Sequence, residues 1–162
     1  MIEFGSPQHP EGLTVQKESL ILSLYDLDAI RFGEYRWKVH DNHPKAPLLP
    51  IYTNFRMLRR DPLAKSLAVD IYESLVEPLK FDVLSDIPTA ATPLVSSLSD
   101  RLGIGQITPR MDSKAHGNGS LVDGLKEEDK GKTSVLIDDL VSFADSKIEA
   151  ASILRKAGVA VN

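Results

Sequence analysis

The sequence predicts an α/β fold: a mostly parallel sheet flanked by helices, with a small hood element on its N-terminal side. Three observations carry this. From Asp61 onward, short apolar runs alternate with helix-length periodic segments, the order that parallel strands joined by crossover helices require. Start and stop signals bracket the helical segments. A length of 162 residues with 42% hydrophobic side chains is enough for one buried core.

Residues 1–12, rich in Gly, Pro and polar side chains, read as a flexible N-terminal arm. Residues 13–162 read as one domain, with an N-terminal helix and hood strands over 13–59 and an α/β core over 60–162. Leu13, Leu20, Leu24 and Leu27 recur at helical spacing, so roughly 14–28 is an amphipathic helix. Ala29–Trp37 and Ile51–Phe55 read as strands, separated by a Pro- and His-containing loop over Val39–Pro50. Asp61 followed by Pro62 marks a helix start, with Leu63, Leu67, Ile71 and Leu75 as the expected buried stripe and Pro78 as its end.

Phe81–Leu84 is a short apolar strand. Thr92-Pro93 repeats the cap-then-proline signal, Leu94, Leu98 and Leu102 form the stripe, and Gly103 closes the helix. Gln106–Arg110 reads as a strand, and residues 112–132, glycine-bearing and charged, as a long mobile loop. Ser134–Ile137 is a strand expected in the sheet interior. Ser146 with Glu149 suggests a capping box opening the last helix, which Gly158 ends before a strand at Val159–Val161.

Composition narrows the function. With no cysteine, disulfides, thiolate metal sites and cysteine nucleophiles are excluded. A net charge of −4 argues against a general nucleic-acid binder, and nucleic acid is not an expected partner. No apolar stretch approaches the ~20 residues of a spanning helix. Met1–Leu13 shows no basic region followed by an apolar run. The expectation is a cytoplasmic protein with no membrane association. Walker-type phosphate loops, dinucleotide fingerprints and Ser-His-Asp arrangements are absent. His40, Asp41 and His43 cluster in the proline-bearing loop with no fourth ligand in view, which does not make a metal site.

Ligands in parallel α/β sheets bind beyond the carboxyl ends of the strands, so loops 86–92, 111–131 and 138–146 are where chemistry is expected. The strongest local pattern is Val135–Ile137, then Asp138-Asp139, Leu140-Val141, and Ser142-Phe143-Ala144-Asp145-Ser146. An apolar strand delivers adjacent carboxylates, able to hydrogen-bond a diol and to offset positive charge developing on a sugar carbon. The turn and the following helix N-terminus supply N–H donors suited to a phosphate. Taken alone, the pattern equally describes an acidic strand end with Ser146 as a simple cap.

This stretch resembles the phosphoribosyl pyrophosphate motif of type I phosphoribosyltransferases, and further segments resemble orotate phosphoribosyltransferases. These are Phe32–Lys38, Pro50–Arg56, Ile87–Leu94 (a pyrophosphate-contacting loop) and Arg110–Gly117 (a catalytic flexible loop). The resemblance implies transfer of a phosphoribosyl group from phosphoribosyl pyrophosphate to a nucleobase, orotate, with release of pyrophosphate. It implies that Asp138 and Asp139 hold the ribose hydroxyls and that Ser142, Phe143, Ala144, Asp145 and Ser146 hold the 5-phosphate. Thr89, Ala90 and Ala91 would contact pyrophosphate, with Lys114 and His116 meeting its departing charge, Arg110 assisting, and Lys38 lying near pyrophosphate and base. Magnesium (Mg2+) would be the cofactor, bridging ligand oxygens and reached by Asp138 and Asp139 through ligand or water. A homodimer is implied, because the flexible loop of that family reaches a partner subunit's site.

Several positions depart from the family pattern. Ala144 and Ala91 stand where glycine is usual, Asp145 puts a carboxylate beside the phosphate loop, Met111 replaces a basic residue, and Asn54 replaces an aspartate. The Lys38–Pro50 loop is longer than the family's. These departures keep open a second expectation, a catalytically impaired domain acting as ligand sensor or assembly subunit, and leave the choice of base undecided.

Overall fold

The computed structural model describes residues 14–111, 121–142 and 144–162. Thr14 caps the first helix, α1 (Val15–Asp26), its side chain accepting from the Lys17 amide. Strands β1 (Ile30–Tyr35) and β2 (Leu49–Thr53) then pair antiparallel, with an irregularity between Phe32 and Tyr35. Between them the expected loop contains a four-residue helix, α2 (Val39–Asn42). The His40 ring is buried there, accepting the Trp37 amide and bonding the Ala46 carbonyl. That is a structural role for one of the clustered histidines. Phe55–Arg60 forms a 3₁₀ turn that leads into the core.

The core alternates as expected: α3 (Pro62–Val76), β3 (Val83–Asp86), α4 (Thr92–Leu102), β4 (Gln106–Pro109), β5 (Val122–Asp123), β6 (Thr133–Ile137), α5 (Asp145–Lys156) and β7 (Ala160–Val161). The sheet order is β5-β4-β3-β6-β7, parallel except for β5 against β4. β6 lies inside the sheet, as Ser134–Ile137 predicted. Side-chain alternation places Leu84, Val135 and Ile137 against α3 and α4, while Val83 and Ile107 pack with Leu154 of α5 on the opposite face. Both faces are therefore covered, which explains the near-continuous apolar runs of β3 and β6.

Some sequence expectations are corrected. The buried face of α3 is Ala64, Ala68, Val69 and Val76, one residue round from the predicted leucine stripe, and Leu63 is 79% exposed. Both faces of α3 carry apolar residues, and the small alanines allow the closer approach of α1 and α4. Thr92 does not cap α4; Ala91 occupies that position, and the Thr92 hydroxyl donates to Asp86. Ser146 and Glu149 do not form a capping box, because the helix is entered two residues earlier, at Ala144, and Ser146 already lies inside it. A capping serine must sit just outside the helix in extended backbone. Finally, the second part of the predicted 112–132 loop is ordered: β5 pairs with β4, and Glu127–Asp129 forms a 3₁₀ turn. Asp112–Ser120 lies outside the described residues.

Asp61 behaves as predicted, accepting the Leu63 and Ala64 amides at 2.9 and 3.0 Å. Gly103 closes α4 at φ 64°, the left-handed conformation that terminates helices at little cost for glycine. At the carboxyl end of β3, Asp86 is fully buried with no ion-pair partner among the described residues. Its carboxylate accepts from Gln106 Nε2 (2.9 Å), Thr108 Oγ1 (2.5 Å) and the Thr92 hydroxyl, tying together β3, β4 and the start of α4. Replacing it by alanine removes the acceptor that these three part-buried donors share. Asp86→Ala is expected to lower stability by about 3 kcal/mol, read as a fall in the urea midpoint at unchanged slope.

Candidate active site

The register of β3 against β6 sets Asp86 opposite Ile137, so the loops leaving both strands emerge side by side. One cleft, of about 340 Å³, opens between them. Its floor is Asp138 and Asp139, its walls Pro88 and Ala90 on one side and Ser142, Ser146 and Lys147 on the other, with Thr53, Asn54 and Arg56 closing it from the hood side. A second cleft, of about 550 Å³, shares Pro88 and continues past Thr89 to Arg110, Met111 and Asp123. The Arg59 guanidinium donates to the Thr89 carbonyl, fixing the loop between the two clefts. The Pro88–Thr89 peptide is cis.

The acidic pair is held from below. The Tyr72 hydroxyl donates to the Asp138 carbonyl at 3.0 Å, and the Asp139 amide donates to Asp138 Oδ1 at 2.8 Å. Burial, followed by the nearby Asp139 and Asp138 charges, raises the Tyr72 pKa to about 12, so it remains a hydroxyl donor. The Asp138 side chain is only 10% exposed and forms an ion pair with Lys147. Burial raises the Asp139 pKa above the ordinary carboxyl value, reinforced by the hydrogen bond and charge of Asp138 and opposed by Arg56. Asp139 has no ion pair among the described residues.

The phosphate-loop segment has two distinctive features. Ala144 adopts φ 62°, the left-handed conformation that a glycine would take there, so the departure from glycine alters the side chain while the backbone keeps a glycine-type turn. Asp145 begins α5 but turns away from the cleft, its carboxylate pairing with Lys38 at 2.8 Å. The hydrogen bond to Asp145 raises the Lys38 pKa, so its ammonium stays charged. This contact joins the hood to the α/β core.

The structure thus brings Asp138, Asp139, Ala90, Ser142 and Ser146 together, and Thr89 and Arg110 into the adjoining cleft. Three expected site residues have other partners in this structure. Ala91 is fully buried behind the loop and lines neither cleft, its carbonyl accepting the Leu94 and Val95 amides. Lys38 is held by Asp145 and does not line the clefts. Arg110 is engaged by Asp123, with NH2 to Oδ1 at 2.6 Å. Lys114, His116 and Phe143 lie outside the described residues. Sequence reasoning missed Arg56, Tyr72 and Lys147. Arg56 stands in the segment Pro50–Arg56 that carried a resemblance, which was a usable signal. Tyr72 and Lys147 reach the site only through folding.

A parallel sheet with the order seen here, its acidic pair on a central strand beside a helix N-terminus, is the fold of the type I phosphoribosyltransferases, and comparison with solved structures agrees. UMP synthase of Leishmania donovani superposes with a TM-score of 0.74 at 32% identity, covering 88% of this chain and 29% of that one. The chain shares that fold, and its relatives in sequence include orotate phosphoribosyltransferases and UMP synthases. The bifunctional enzyme PyrF/PyrE of Nostoc sp. is 32% identical over 156 residues, 94% of this chain and 31% of the relative. Orotate phosphoribosyltransferase of Caenorhabditis elegans is 29% identical over 149 residues, 91% of this chain and 62% of the relative. The chain therefore spans between about a third and two thirds of the length of these two relatives. No family model matches it.

The raised Asp139 pKa has a consequence for stability. A folded-state value above the unfolded one means that the native state holds its proton more tightly, so stability is lost as pH rises past the ordinary carboxyl pKa of about 3.9. Asp139→Asn removes this penalty. Its melting temperature is expected to exceed that of the parent at pH 7, and the difference should vanish as pH falls below about 4. Calorimetric melts across that range measure it.

Proposed function

We propose that this chain carries the phosphoribosyl-transfer site of an orotate phosphoribosyltransferase in pyrimidine nucleotide synthesis. The observation that carries this reading is the convergence of Asp138 and Asp139, Pro88 and Ala90, and Ser142 and Ser146 on one cleft. The donor is phosphoribosyl pyrophosphate and the acceptor a nucleobase, orotate. A ring nitrogen of the base forms a bond to the anomeric carbon while the bond from that carbon to pyrophosphate breaks, and pyrophosphate leaves with the electron pair.

Asp138 and Asp139 accept hydrogen bonds from the ribose hydroxyls, and their charge stabilises the oxocarbenium-like centre. Ser142, Ser146 and the backbone amides of Ala144 and Asp145 hold the 5-phosphate at the helix N-terminus. Thr89 and Ala90 offer backbone amides to pyrophosphate, with Arg110 beside them. Lys114 and His116 come from the segment that would reach over the leaving group. Lys38 joins them once it exchanges Asp145 for the ligand. The donor set suits magnesium held mostly by ligand oxygens and water: Asp139 lines the cleft without an ion pair, and the described residues contain no cluster of three acidic or imidazole side chains. Bound there, the ion would offset pyrophosphate charge.

The protein acts as a homodimer in the cytoplasm on this reading. In support, no described helix is long and apolar enough to cross a membrane. Exposed Phe32 and Ile51, paired across the hood strands on one face, also offer an apolar surface for a second copy. Light scattering at micromolar concentration should return twice the chain mass, and a clean monomer would remove the dimer.

A second reading, a ligand-binding domain without turnover, is favoured by one observation. Lys38 and Lys147 are both already paired to carboxylates of the site. Incubation with magnesium, phosphoribosyl pyrophosphate and a panel of bases separates the two. The transferase reading expects pyrophosphate release with orotate, slowed about 10²–10³-fold in Asp139→Asn. Binding of phosphoribosyl pyrophosphate without release would favour the sensor, and no binding would overturn both.

A further inference from the structure

The charged residues lining the acidic cleft are Arg56 and Lys147 against Asp138 and Asp139. Lys147 stands out because nothing in the sequence pattern assigned it a part. It occupies the first turn of α5, and its ammonium folds back toward the loop, bonding the Leu140 carbonyl and the Asp138 carboxylate, with Ser146 Oγ 3.4 Å away. The side chain is 23% exposed, against 71% for Lys38. It is thus a cation built into the cleft wall, between the acidic pair and the phosphate-loop serine.

The geometry points to Lys147 as a binding residue for a phosphorylated sugar, an inference that rests on the function proposed above. The cleft combines two carboxylates with a helix N-terminus, and an anionic ligand entering it meets the carboxylates as well as the amides. Lys147 addresses both. It neutralises Asp138, so that this carboxylate can sit beside a phosphate ester without net repulsion. Its ammonium also lies at hydrogen-bonding range of the Ser146 hydroxyl, on the side where the 5-phosphate is held. A rotation of its terminal torsions carries one N–H from the Leu140 carbonyl to a phosphate oxygen while the contact with Asp138 is kept. Removal of this charge would leave Arg56 alone against two carboxylates. Asp145 does not add to the repulsion, because Lys38 engages it outside the cleft.

The test is calorimetric titration of the full chain with ribose 5-phosphate at two ionic strengths, for the parent, Lys147→Met and Lys147→Arg. Methionine keeps the length and helix propensity of lysine while removing the charge. The expected result is affinity weakened about 10- to 100-fold in the methionine variant, the range of a charge-assisted hydrogen bond, and largely kept in the arginine variant. The methionine variant should also lose part of the salt dependence seen in the parent. A residue serving only as a structural counter-ion for Asp138 would leave that salt dependence unchanged.

Should the methionine variant not fold, the parent alone decides: reductive methylation of Lys147, followed by mass spectrometry, should slow when ribose 5-phosphate is added. Binding of equal strength and equal salt dependence in parent and methionine variant overturns the role of Lys147 and leaves the transferase reading standing. An unchanged methylation rate at saturating ligand does the same. Failure of the parent to bind ribose 5-phosphate overturns both.

Discussion

The register between β3 and β6 is the constraint on which the site depends. Four successive pairs, ending with Asp86 opposite Ile137, place the loops that follow at the same height and one strand spacing apart. A shift of one residue would turn Val135 and Ile137 off the α3–α4 face and aim the acidic pair away from the Pro88 loop. Burial on both faces forbids this shift, since Leu84, Val135 and Ile137 would lose their packing. The bond between the Ser85 and Ser134 hydroxyls, at 2.5 Å inside the sheet, adds a polar lock, because neither has water as an alternative partner.

Asp86 extends that constraint sideways. A carboxylate buried without a cation persists only if neutral donors surround it, and Thr92, Gln106 and Thr108 do so from two other elements. The start of α4 and the end of β4 are thereby referenced to β3, which sets the Pro88–Ala90 loop between the two clefts. The hood is tied on by longer reaches: Lys38 to Asp145 and Arg59 to Thr89. Exposed ion pairs of the first kind contribute little to stability; burial of Leu24, Ala29 and Leu58 in the core beside α3 and α4 is what binds this part of the chain.

Two positions that depart from the family pattern, Ala144 and Asp145, are accommodated by the local structure, with Lys147 beside them. Ala144 retains a glycine-type backbone, Asp145 is drawn outward by Lys38, and Lys147 supplies a cation within the cleft. The turn keeps its amides, the extra carboxylate is neutralised, and the acidic floor has a built-in partner.

The alternation of apolar runs and periodic segments determined the fold class and the interior place of Ser134–Ile137, because a strand covered on both faces must be apolar along its whole length. Local signals were sufficient where the physics is local: Asp61 as a cap, Gly103 as a left-handed terminus, Asp138 and Asp139 at a strand end. Other features depend on neighbours distant in sequence. The burial of Ala64 and Ala68 in place of Leu63 was decided by how closely α1 and α4 approach α3. The loss of the Ser146 capping box followed from a turn at Ala144 that no spacing rule indicates. The pairing of Val122–Asp123 with β4 needed a strand edge to pair with. Tyr72 beneath Asp138, sixty-six residues away in sequence, and Lys38 beside Asp145, one hundred and seven away, are contacts between side chains that only a folded sheet brings together. Sequence alone marked candidate residues such as Asp138 and Asp139; tertiary structure decided which residues meet, Tyr72 and Lys147 among them, because hydrogen bonds and ion pairs act over a few ångströms and chain proximity does not measure that distance.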